Sequence, residues 1–61
     1  MVNQDLLNRL ISLMQQGLIK IVDIKNAEYA ASVTTYFKAE VVAETITADQ
    51  YKTITGIDYV A

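Results

Sequence analysis

Apolar residues Leu6, Leu10, Leu13 and Met14 recur at three- and four-residue spacing, and Leu7 and Ile11 widen the stripe. Asn8, Arg9, Ser12, Gln15 and Gln16 fill the opposite side. That period belongs to an amphipathic helix, expected over about residues 4–16. Asn3 is a suitable N-cap, Val2 and Leu7 can staple across it, and Asp5 sits at the positive end of the helix dipole. Gly17 is placed to take the left-handed position that closes the helix, with Leu18 folding back toward Leu13.

The pattern then changes. Residues 18–22 are apolar except for Lys20 and are β-branched enough for a strand, but the chain offers no partner strand. An extended connector packing beneath the helices is expected instead. A second helix is expected over about 24–43, capped by Asp23, with Ile24, Ala27, Ala31, Val33 or Thr34, Phe37 and Val41 facing inward. Ala27, Ala30 and Ala31 would let a neighbouring helix approach closely. Residues 32–35 carry Val and Thr, which lose rotamer freedom in a helix, so a bend is expected to fall there if anywhere.

The densest signal lies in residues 46–59. Thr47 and Gln50 have the spacing of a capping box, and Ile46 and Tyr51 that of a hydrophobic staple. Tyr51 and Ile54 give the apolar side of a short helix over about 48–55, and Gly56 supplies the left-handed stop. Ile57 and Tyr59 continue as a tail that folds back. Two turns are not stable alone, so this helix must dock on the others or on a partner. The fold class expected is all-α: a single small domain over 1–61, a hairpin or bundle of two main helices plus a short C-terminal one.

Size sharpens that picture. A chain of 61 residues buries only about 60% of the surface its unfolded form exposes. Cysteine and histidine are both absent, which removes disulfides, thiolate metal sites and the commonest zinc ligand and general base. No run of acidic residues has calcium-loop spacing. With 52% apolar residues, completion of the fold by self-association or by a protein partner is the expected staple. No metal or cofactor is expected.

The net charge of −2 is mild, and Lys20, Lys25, Lys38, Lys52 and Arg9 are scattered, which argues against nucleic-acid binding. No apolar stretch approaches the roughly 18–20 residues of a membrane span, and residues 1–5 lack the basic region of a signal peptide. Synthesis in the cytoplasm and no membrane association are expected. Glu40 and Glu44 share a helix side, but as an exposed pair they only repel weakly. Ser12 and Ser32 have no histidine to activate them, and no glycine-rich loop precedes a helix. No catalytic residue is expected, and the chain reads as a non-enzyme.

The candidate partner-binding residues are Leu6, Leu10, Leu13, Tyr36, Phe37 and Tyr59. The leucine stripe is too short for a coiled-coil seam and reads better as a docking face. Tyr51 is accounted for by the staple. Tyr36 and Tyr59 fit an interface and a half-buried core position equally well.

Residues 46–59 resemble the C-terminal signature of the XkdX family, short proteins of phages and prophages of Gram-positive bacteria. Ile46, Thr47, Tyr51, Lys52, Ile54, Thr55, Gly56, Asp58 and Tyr59 match its pattern, while Ile57 stands where the family commonly has an acidic residue. Gly17-Leu18 resembles the glycine followed by an apolar residue found upstream. Genes of that family lie near tail, baseplate and lysis genes. The resemblance implies a phage structural or assembly accessory protein associated with tail or baseplate, a homo-oligomer or partner of a tail component. It would be made in the bacterial host cytoplasm, with the virion as a destination. The alternative is a small phage regulatory or lysis-interacting protein outside the virion.

Overall fold

The computed structural model describes residues 2–60. It is all-helical: α1 (Gln4–Gln15), a 3-10 turn (Ile21–Asp23), α2 (Ala27–Val42) and α3 (Ala48–Thr55). All three α-helices pack against one another. Each sends two side chains to the common centre: Ile11 and Met14 from α1, Val33 and Phe37 from α2, Tyr51 and Thr55 from α3. The spacing within each pair is three or four residues, which puts both members on one helix face. Half-buried Leu7, Leu10, Ile19, Ile21, Ile24, Val41, Ile46, Ile54, Ile57 and Tyr59 close around that centre. The radius of gyration of 10.7 Å equals what a compact chain of this length should have, about 10.5 Å.

The first helix forms as its pattern predicts. The Asn3 side chain accepts from the Leu6 amide at 3.1 Å. At the other end the Leu18 N–H donates to the Leu13 carbonyl and the Gly17 N–H to the Met14 carbonyl, both at 3.0 Å. With Gly17 at φ +79° this is a Schellman close. The polar residues of the opposite side, Asn8, Arg9, Ser12, Gln15 and Gln16, are all exposed.

The second helix departs from expectation at its start and at two of its expected inward positions. Val33, Phe37 and Val41 face the core, and the helix ends at Val42 with Ala43 as its C-cap, as expected. It begins at Ala27 because Asn26, not Asp23, caps it: the Asn26 side-chain Oδ1 accepts from the amides of Glu28 (2.9 Å) and Tyr29 (3.4 Å). The Asp23 carboxylate is engaged elsewhere, accepting from the Lys20 amide at 2.8 Å and closing the 3-10 turn. Residues 18–22 are thus only partly extended. Ile19 and Ile21 turn toward the core while Leu18 and Val22 point out, 65% and 75% exposed. Ile24 still packs on the core, but from the connector.

Ala27 and Ala31 are exposed, which corrects their expected inward placement. With Val33 and Phe37 buried, Ala31 lies about 200° round the helix at roughly 100° per residue, on the far side. Ala27 and Ala31 therefore mediate no close helix approach, whereas Ala30 is half-buried. The helix runs without a break over Ala27–Val42. The Thr34 hydroxyl, half-buried, donates back to the Ala30 carbonyl at 2.8 Å. The helix ends in a second Schellman close, with the Thr45 N–H on the Glu40 carbonyl and the Glu44 N–H on the Val41 carbonyl, both 3.0 Å. The left-handed residue there is Glu44, at φ +64°.

Candidate docking surface and the capped third helix

The third helix is a closed unit. The Thr47 Oγ1 accepts from the Gln50 amide at 3.1 Å, and the Gln50 Oε1 accepts from the Thr47 amide at 2.7 Å, so both halves of the capping box are made. Ile46 and Tyr51, the staple pair, both belong to the core, with Tyr51 fully buried. At the far end Gly56 stands at φ +80° and its N–H donates to the Lys52 carbonyl at 2.8 Å. Ile54 is half-buried on the same apolar side.

Two features of this unit are invisible locally. The Lys20 ammonium donates to the Thr53 carbonyl. That carbonyl is among those left free in the last turn, where a cation also complements the helix dipole. The Lys20 stem lies against Gly56: a Cβ built there would sit 3.4 Å from Lys20 Cβ. The partners are 33 residues apart, so no window on the sequence signals them. Likewise the Tyr29 hydroxyl accepts from the Asn3 amide at 2.8 Å, tying α2 to the start of α1.

The segment after Gly56 folds back as expected. Tyr59 is half-buried and meets Tyr51 edge-to-face, ring centroids 5.3 Å apart at 81°. Burial pushes the Tyr51 phenol above its ordinary pKa, with Tyr59 adding to the shift. The Lys52 ammonium and the Asp58 carboxylate pair at 3.1 Å on the surface. Beneath them the Thr55 hydroxyl, fully buried, donates to the Tyr51 carbonyl at 2.7 Å.

The candidate partner-binding residues separate into two groups. Leu6 is 42% exposed, Leu10 and Leu13 are half-buried, and Tyr36 is 38% exposed. These present apolar atoms to the outside. The core takes the adjacent α1 side, Ile11 and Met14, and leaves the leucines at its flank. Phe37 is 1% exposed and Tyr59 packs on Tyr51, so both serve the interior. Phe37 supports Tyr36 from below, ring centroids 5.1 Å apart at 89°. A hydrogen bond to Glu40 is the main cause raising the Tyr36 phenol, followed by burial and the Glu40 charge.

Other exposed aliphatics were not singled out by their pattern: Leu18, Val22, Val42 and Val60. The apolar run 18–22 was expected to pack beneath the helices, and Leu18 and Val22 do not. A shallow groove of about 310 Å³ runs along the outer side of α3, lined by Ile46, Asp49, Gln50, Thr53 and Ile54. Among the described residues no three acidic groups converge as a metal would require. No helix among them is long and apolar enough to cross a membrane. No family model, curated protein or solved structure matches this chain.

Proposed function

We propose that this chain is a phage structural or assembly accessory protein, associated with the tail or baseplate, that acts without catalysis by docking on another protein or on its own copies. The reading rests on the resemblance of residues 46–59 to the XkdX signature. The observation that carries the docking part is the apolar surface left over once the core is filled. Leu6 and Tyr36 remain 42% and 38% exposed although the interior is already supplied by two side chains from each helix. A partly exposed tyrosine backed by a buried aromatic ring, as Phe37 backs Tyr36, is of the kind that anchors protein interfaces.

Leu6→Glu tests it. Leu6 lies in the first turn of α1, where an added carboxylate suits the helix dipole, so the fold should lose less than about 1 kcal/mol. Incorporation into purified particles should fall sharply while the melting temperature barely moves. Unchanged incorporation of both Leu6→Glu and Tyr36→Ser would contradict docking through this surface.

A further inference from the structure

We infer that residues 57–60 form a releasable strap, hinged at Gly56, over the fully buried Tyr51 and Thr55 side chains of α3. Three observations converge on it. First, the strap is lightly fastened. Among the described residues no backbone–backbone hydrogen bond outside the helices ties residues 57–60 to the rest of the chain. Its attachments are side-chain ones: the edge-to-face Tyr59–Tyr51 contact, the half-buried Ile57 and Tyr59 on the core, 3.3 Å hydrogen bonds of the Thr55 hydroxyl with the Ile57 amide and carbonyl, and the Lys52–Asp58 pair. The side chains of that pair are 66% and 78% exposed, so salt screens it.

Second, the underside opposes closure. The Tyr51 hydroxyl is buried, and no hydrogen-bond partner meets it. A buried phenol without a partner has lost its water and gained nothing in exchange, and opening the strap restores that hydration.

Third, the helix beneath is secured without the strap. The capping box holds its start, and the Gly56 N–H on the Lys52 carbonyl ends it before the strap begins. Opening therefore need not melt α3. The ring side of Tyr51 that meets Tyr59 and the Thr55 hydroxyl that meets Ile57 would then be uncovered together, a surface absent from the closed form.

The absence of native cysteine makes the opening measurable by thiol labelling. Thr55→Cys places a thiol beside Ile57 of the strap, and Val33→Cys places one in the core on α2, each at a fully buried position. Labelling with an aromatic disulfide reagent should proceed about tenfold or more faster at position 55, with weaker denaturant dependence, as local opening does relative to global. Adding Tyr51→Phe removes the unpartnered hydroxyl. It should slow labelling at 55, relative to 33, by roughly fivefold or more.

Equal rates at both positions with the same denaturant dependence would overturn the strap. So would a ratio unmoved by Tyr51→Phe. Should Thr55→Cys fail to fold, hydrogen exchange of the Ile57 amide relative to that of Phe37 reads the same equilibrium. Slower relative exchange in Tyr51→Phe supports the strap, and unchanged exchange overturns it. The strap is a property of the free chain, so this result is independent of the docking reading.

Discussion

Glu44→Gly should stabilise this protein, although it removes a side chain and frees the unfolded backbone. Three helix ends here use a left-handed residue. Two are glycine, Gly17 at φ +79° and Gly56 at φ +80°; the third is Glu44 at φ +64°. A residue with a Cβ loses about 1–2 kcal/mol in that conformation. Glycine avoids this loss but gives back roughly 0.5–1 kcal/mol through its extra freedom when unfolded. The Glu44 carboxylate also sits just past the negative end of α2, where an anion costs about 0.3–1 kcal/mol at low salt. Its side chain is exposed and makes no hydrogen bond, so little is lost with it. The net gain is about 1 kcal/mol, which for a domain this small raises the melting temperature by roughly 4–8 °C. Thermal unfolding followed by circular dichroism measures it. Glu44→Gln separates the causes: it should recover only the charge part, and that part should fade as salt is added. A melting temperature unchanged or lowered in Glu44→Gly, or raised equally by Glu44→Gln at high salt, would refute the assignment of backbone strain to this position.

Gly56→Val should cost more than about 2 kcal/mol, since a β-branched residue is a poor fit to φ +80° and its side chain must displace the Lys20 stem; unaltered helical content and melting point would remove the closing role of Gly56. Tyr29→Phe deprives the Asn3 amide of its acceptor and should cost about 1 kcal/mol in denaturant unfolding, with no effect predicted if solvent already serves that amide equally well. The Tyr36 and Tyr51 phenols should titrate above the ordinary value of about 10 in ultraviolet absorbance. Because the folded chain then holds protons that the unfolded chain has released, their contribution is present below that pH and is lost as pH rises through the folded values. Glu40→Gln should bring Tyr36 back toward the ordinary value and leave Tyr51 raised.

How much of this was legible in the residues depends on whether the deciding interaction is local. Both ends of α1 and α3 follow from contacts within a few residues: Asn3, Gly17, Thr47 with Gln50, and Gly56. Those helices lie where their patterns put them. The start of α2 was ambiguous because Asp23 and Asn26 are both competent caps. It was decided by the Asp23 carboxylate turning back to the Lys20 amide. The phase of α2 was obscured by small residues on every side, so that Ala27 and Ala31 looked as suitable for burial as Val33. Its end fell where expected, but the residue that closes it gave no signal, because the left-handed position holds glutamate, where glycine or asparagine is usual.

The candidate surface shows the same division. Leu6 and Tyr36 are exposed as a docking face requires, whereas Phe37, next in sequence to Tyr36, is carried into the core by one step of helix rotation. The Lys20 contact with Thr53 and the Tyr29 contact with Asn3 join residues 33 and 26 positions apart. They exist only once the helices have packed. Tertiary packing, not local preference, placed them.

The most direct test of the docking account is the number of copies of this chain per particle, by quantitative mass spectrometry of gradient-purified virions. A fixed integral copy number, set by the rotational symmetry of tail or baseplate, is the predicted result. Absence from particles together with abundance in the producing cells would contradict the account and transfer the chain to a regulatory or lysis-associated role.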